Sequence, residues 1–204
     1  RCALLIVMHH IIADEWSLGV FWRDLSTAYQ ASLSQQSPTL TALPIQYVDF
    51  AAWQHQQLEQ GAFDAQRHYW QTKLSGDLPV LQLPADRPRL RIKRSDHGGL
   101  LIHDLNGDLS SKLDQLARQA ETTPFVLLLA AFQVLLFRLT GQNEILVGTP
   151  VTNRELTQTE NLIGFFLNTL VLRTDFTPAR TFTELLGEIR RESLAALANQ
   201  QLPF

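Results

Sequence analysis

Pro79, Pro84 and Pro88 fall within residues 75–98, together with the basic string Arg87, Arg89, Arg91, Lys93 and Arg94. Proline fixes φ and removes a backbone donor, so no regular element runs through such a stretch. The chain must therefore be built as two structural units with a connecting segment between them. The units expected are residues 1–78 and 99–204, joined through 79–98.

Before the prolines, Cys2–Met8 is a continuous apolar run bounded by His9 and His10. It predicts a buried strand. Leu18, Phe21, Leu25, Ala28 and Tyr29 recur at helical spacing and predict a helix from Ser17 to about Leu33, with Asp14 or Ser17 near its cap. Residues 34–44 read as a loop. Two more helical segments follow, Ile45–Glu59 with Trp53, and Phe63–Leu74 with Trp70.

After the prolines, Gly99–Leu105 predicts a short strand. Leu109, Leu113, Leu116, Ala117 and Ala120 then share one helix face. A helix over Pro124–Leu139 has Thr123 as N-cap, Pro124 in its first turn and Gly141 as its stop. Low polarity all round predicts that it is buried. Strands are expected over Glu144–Val151 and Leu167–Arg173. Thr181 with Glu184 makes a capping box that opens a final amphipathic helix. Mixing strands and helices in this way predicts a mixed α/β (α+β) fold.

Composition narrows the function. Of 204 residues, 17 are Lys or Arg and 20 are Asp or Glu, so the formal net charge is −3. A slightly acidic chain is a poor ligand for nucleic acid or an anionic membrane. The single cysteine, Cys2, excludes an internal disulfide framework and a Cys-based zinc site, and fits a reducing, cytoplasmic setting. The apolar stretch Pro124–Phe137 contains Gln133 and is too short for a bilayer span, which takes about 20 residues. The chain begins at Arg1 inside an apolar run and ends at Phe204 without a tail. It is expected to be a piece of a longer protein and not to fold alone.

The sharpest chemistry lies in His9-His10-Ile11-Ile12-Ala13-Asp14. A histidine where a strand ends and a helix begins can stand at the mouth of a cleft and take a proton near neutral pH. Asp14 can orient that region through a charge-assisted bond. A pair of hydrogen-bonded structural histidines fits the same spacing. His55, His68, His97 and His103 show no ligand spacing, and no metal site is expected. No G-x-S-x-G, G-x-G-x-x-G or Walker sequence occurs.

Residues 8–17, Met-His-His-Ile-Ile-Ala-Asp-Glu-Trp-Ser, resemble the HHxxxDG signature of condensation domains of nonribosomal peptide synthetases. Tyr47–Gln54 resembles that family's Y-x-D-F-A-x-W segment. Val147–Arg154 resembles its V-G-T-P-V-x-x-R segment. Ile163–Arg173 resembles its I-G-x-F-V-N-T-x-x-x-R segment, and Asn199–Phe204 its H-Q-D-x-P-F segment with Asn for His.

The resemblance implies two chloramphenicol acetyltransferase-like lobes, each only partly covered here: the back of the first lobe in 1–78 and the front of the second in 99–204. It implies peptide bond formation, in which the amine of an acceptor aminoacyl thioester attacks a donor acyl thioester. The partners implied are donor and acceptor carrier domains and an adjacent adenylation domain. Their phosphopantetheine arms bring the substrates, and the domain itself holds no cofactor. His10 matches the catalytic histidine, as general base or as the group that positions the amine. His9 is expected to pack structurally. Asp14 matches a structural anchor paired with an arginine, expected in sequence upstream of Arg1. Trp16 and Ser17 support the site, and Asn168 and Arg173 carry the second-lobe motif. Arg87–Arg94 would be a solvated linker or a contact for an acidic carrier domain.

Glu15 stands where the family has Gly, a residue that permits φ > 0 and close backbone approach. Its carboxylate near His10 would favour the imidazolium and weaken a base. Two other functions fit the same residues: an epimerisation domain of the same superfamily, and a non-catalytic or truncated scaffold that docks carrier domains.

Overall fold

The computed structural model describes residues 3–85 and 98–204. Cys2, Pro88, His97 and the basic residues Arg87 to Arg94 lie outside the described residues. The chain forms α1 (Glu15–Leu33), α2 (Tyr47–Glu59), α3 (Asp64–Lys73), α4 (Gly107–Gln119), α5 (Pro124–Thr140), β1 (Glu144–Val151), a 3-10 turn (Thr157–Thr159), β2 (Asn168–Asp175) and α6 (Phe182–Ala198). Among the described residues the sheet is the single pair β1–β2. The mixed α/β fold is as expected from the sequence.

Two compact units emerge, each assembled from separate stretches. The first holds Arg1–Thr72, Thr149–Leu170 and Asn199–Phe204, and the second holds Lys73–Gly148 and Val171–Ala198.

In the first unit α1 starts two residues earlier than the apolar spacing predicts, because Asp14 is the N-cap and accepts from the Ser17 amide at 2.8 Å. In α2 the Asp49 carboxylate turns back to accept from the Gln46 amide at 2.8 Å. The core here is Phe50, Leu162 and Phe166, flanked by Ile45 and Tyr47. Trp53 lies against Phe50 with ring centroids 5.7 Å apart, and the Trp70 indole donates to the Asn199 carbonyl at 2.8 Å, so both tryptophans pack structurally.

In the second unit α5 packs against α4 and α6. Thr123 caps α5, Pro124 occupies its first turn, and Gly141 ends it at φ 67°, a left-handed conformation open to glycine. The Thr181–Glu184 capping box forms, with Glu184 Oε2 accepting from the Thr181 amide at 2.7 Å and Thr181 Oγ1 from the Glu184 amide at 3.3 Å. Gln133 is buried in α5 and satisfied at both ends. Its Nε2 donates to the Leu172 carbonyl at 3.3 Å, and its carbonyl accepts from Thr174 Oγ1 at 3.0 Å.

The structure departs from the sequence-based expectations at three elements. Residues 3–8 are not a strand, and Leu5 and Val7 are both 86% exposed. Residues 99–105 are not a strand either, with Leu101 93% exposed. A strand exists only with a partner that takes its amides and carbonyls, and neither segment meets one among the described residues. Helix α5 is not buried all round: Phe125, Leu128, Phe132, Leu135 and Leu139 form an exposed apolar stripe. Among the described residues, no single helix is long and apolar enough to cross a membrane.

Candidate functional site

The site grows from the turn that follows residues 3–8. The Ile12 amide donates to the His9 carbonyl at 3.1 Å, and the Ile11 amide donates to His9 Nδ1 at 3.1 Å. His9 therefore accepts through Nδ1 and helps shape the turn. His10, next in the turn, is left outward. Its ring meets Phe165 edge to face, with centroids 5.4 Å apart and planes at 83°. Among the described residues no hydrogen bond is made to the His10 imidazole, so both ring nitrogens remain for a substrate or water.

Four residues on, Asp14 is buried. Its Oδ1 accepts from the Ser17 amide at 2.8 Å, lies 2.6 Å from Ser17 Oγ, and pairs with Arg154 Nη2 at 3.1 Å. Its Oδ2 accepts from the Phe166 amide at 3.1 Å. Burial pulls the Asp14 carboxyl upward, but the Ser17 side chain and amide, the Phe166 amide and the Arg154 charge outweigh it and hold it below its ordinary value. Burial also lowers the Arg154 guanidinium, with Asp14 opposing. Arg154 further donates from Nη1 to the carbonyls of Thr159 and Leu162, the latter at 2.9 Å, and from Nη2 to Ser17 Oγ at 2.8 Å. Its guanidinium carbon sits 3.9 Å from the centroid of the Phe166 ring. The arginine that pairs with Asp14 in this structure is Arg154, downstream in sequence. Its place at the end of the V-G-T-P-V-T-N-R segment was the available signal.

Ser17 joins this lock to a glycine loop. Its Oγ lies 2.8 Å from the Gly164 carbonyl and accepts from the Gly164 amide at 3.1 Å. The one hydroxyl proton serves either Asp14 or Gly164 at a time. Gly164 lies so close to Tyr47 that an added Cβ would fall 2.1 Å from Tyr47 Cδ2. Tyr47 in turn donates from its hydroxyl to the Phe165 carbonyl at 2.8 Å, fixing the residue that His10 touches. Trp16 anchors rather than lines: its indole donates to the Glu160 carbonyl at 2.8 Å.

Glu15 is the first residue of α1 and is exposed. Among the described residues, the non-glycine positions with positive φ are Gln35, Glu121 and Asn153, so position 15 makes no use of glycine's extra conformations. A carboxylate in a first helical turn is favoured by the helix dipole. Glu15 is accommodated by the fold.

A cavity of about 700 Å³ lies within this unit, with His10, Tyr47, Phe165 and Asn168 in its wall. Asn168 is fully engaged. Its Nδ2 donates to the carbonyls of Gln200 and Leu202 at 2.7 and 2.6 Å, and its Oδ1 accepts from the amides of Phe204 and Thr169 at 3.0 and 2.9 Å. It clamps the last residues of the chain beside the cavity. Arg173 belongs to the other unit. There it pairs with Glu144 at 2.6 Å and donates to the carbonyls of Lys73 and Ser75 at 3.1 and 3.0 Å. Of the expected site residues, His9, His10, Asp14, Glu15, Trp16, Ser17 and Asn168 lie in the first unit, where His10 and Asn168 line the cavity, and Arg173 lies in the second. Tyr47 and Phe165 fall within the sequence motifs, but their role depends on contacts more than 100 positions apart, beyond the reach of local pattern. Among the described residues, no group of three or more His, Cys, Asp or Glu is placed to hold a metal ion.

The chain matches the Condensation domain family over residues 1–204. It is 46% identical over 204 residues to a linear gramicidin synthase of Brevibacillus parabrevis, covering 100% of this chain and 4% of that protein. It is 42% identical over 204 residues to phosphinothricin tripeptide synthetase PhsB of Streptomyces viridochromogenes, covering 100% of this chain and 17% of that one. In structure it is similar to the X-domain from teicoplanin biosynthesis, with a TM-score of 0.87 at 30% identity, over 96% of this chain and 44% of the other. The chain therefore spans a small part of these synthetases and less than half of the X-domain chain. With the whole of its length matched, the chain belongs to the condensation domain family.

Proposed function

We propose that this chain carries the reacting centre for peptide bond formation in a nonribosomal peptide synthetase. The observation that carries it is His10, with neither ring nitrogen hydrogen-bonded among the described residues, in the wall of a cavity large enough for a substrate. The reaction joins an acceptor amine to a donor thioester carbonyl. A C–N bond forms, the C–S bond breaks, and the proton lost by the amine ends on the departing thiol. As a general base, His10 takes that proton and passes it on, which contributes about 10²–10⁴-fold. As a positioning group, it holds the amine by a hydrogen bond at the attack distance.

In this proposal donor and acceptor carrier domains deliver their substrates on phosphopantetheine arms, beside an adenylation domain in the same cytoplasmic polypeptide. Residues 1–78 contribute to the first lobe and 99–204 to the second, with 79–98 between them.

The test uses the intact parent synthetase module, with both carriers loaded. Dipeptidyl thioester is followed by intact-protein mass spectrometry. Wild type should form product, and His10→Ala should lose at least about 10²-fold in rate. His10→Gln separates the roles: it hydrogen-bonds without taking a proton, so it retains activity only if His10 positions the amine. Loaded carriers without product from wild type would sink the proposal and leave a docking scaffold.

A further inference from the structure

Among the described residues, the cavity wall holds no Asp, Glu, Lys or Arg. Its polar members are His10, Tyr47, Gln54, Asn153, Asn168 and Thr169, and the remainder is apolar or aromatic. The Tyr47 hydroxyl is committed to the Phe165 carbonyl, and both ends of the Asn168 carboxamide are committed to backbone. The charged residues close by are already engaged within the protein. Asp14 and Arg154 neutralise each other with both side chains 1% exposed. Glu155 borders a neighbouring cavity of about 20 Å³ and is engaged by the side-chain amides of Gln200 and Gln201.

We infer that the acceptor residue joined at this site bears an uncharged, mainly apolar side chain, and that the site discriminates against carboxylate and ammonium side chains. The inference rests on the peptide-bond reading above. The acceptor's side chain is borne by the same carbon as the amine that His10 handles, so it lies inside this cavity during reaction. A charged side chain there gives up part of its hydration and meets no opposite charge among the described lining residues. Phe165, 38% exposed in the wall, offers ring surface that rewards an apolar group instead. The same uncharged lining favours the neutral amine, which is the nucleophilic form.

The test uses the intact module with its native donor and with acceptors installed directly as aminoacyl-phosphopantetheine on the carrier, which bypasses selection by adenylation. Matched pairs differ in charge at nearly equal volume: Asn against Asp, Gln against Glu, norleucine against Lys. Each uncharged member should react about tenfold or more faster than its charged partner. Gln54→Glu places a carboxylate in the lining and should narrow the norleucine-to-Lys ratio by a similar factor. Equal rates within the pairs, with product formed, overturn this inference and leave the peptide-bond reading standing. No product with any acceptor, the native one included, overturns both.

Discussion

Asp14 and Arg154 form an ion pair 140 positions apart in sequence, at 3.1 Å, with both side chains 1% exposed. Around it converge the N-cap of α1, the Ser17 hydroxyl, the Gly164 backbone and the Phe166 ring. The pair holds the turn that bears His10 against the loop that bears Phe165.

Removing one partner leaves an uncompensated buried charge. Asp14→Asn should cost about 3–5 kcal/mol of local stability, as should Arg154→Met, and the double variant should cost less than the sum. Amide hydrogen exchange of the first turns of α1 in the intact protein measures this. Additive losses would show that the two side chains do not act as a pair.

The same pair sets an acid limit. The Asp14 carboxyl lies below its ordinary value of 3.8 in the folded state, so its stabilisation is complete above that value. It is lost as the pH falls from 3.8 through the lower folded-state value. The protection gap between wild type and Asp14→Asn should be constant from neutral pH down to about 5 and narrow near pH 3. A gap unchanged at about pH 3 would show that ionisation of Asp14 is not its source.

Gly164→Ala should overpack the site, because the new methyl falls 2.1 Å from Tyr47 Cδ2. The expected loss is about 1–3 kcal/mol. In the Gly164→Ala background, Tyr47→Ala should be less harmful than in wild type, since it removes the clash. A double-mutant cycle on thermal unfolding reads that coupling.

Asn168→Asp keeps shape and reverses chemistry. The Nδ2 donors to Gln200 and Leu202 become an oxygen facing two carbonyl oxygens at 2.7 and 2.6 Å. A loss of about 1–3 kcal/mol in the hold on residues 200–204 is expected, seen as faster proteolysis there in the intact protein. Unchanged cleavage would mean that the clamp contributes nothing.

Most helices were legible because their determinants are local. Thr123, Pro124 and Gly141 bracket α5, and Thr181 with Glu184 opens α6, all within a few residues of sequence. The apolar runs at 3–8 and 99–105 misled, since a run of apolar residues specifies a strand only when another strand lies beside it. The exposed stripe on α5 escaped for a related reason: composition tells how apolar a helix is, not which neighbours cover it. At the site, the His-His-Asp signature placed His10, but the arginine that completes it could not be deduced from spacing. Nor could the need for Gly164, which arises from the Tyr47 ring and not from any turn conformation.

Asp14 serves α1 in two stages of the chain's history. Its bonds to Ser17 span three residues and form as soon as the helix nucleates. Its bonds to Arg154 and Phe166 wait for segments that the ribosome delivers about 140 residues later. Closing so long a loop is entropically slow. During synthesis, then, a half-made cap carries an unpaired carboxylate in water, and the turn bearing His10 acquires its fixed geometry only when Arg154 arrives. The fixed geometry of the His10 turn is a late event in folding, timed by a residue far from the histidine in sequence.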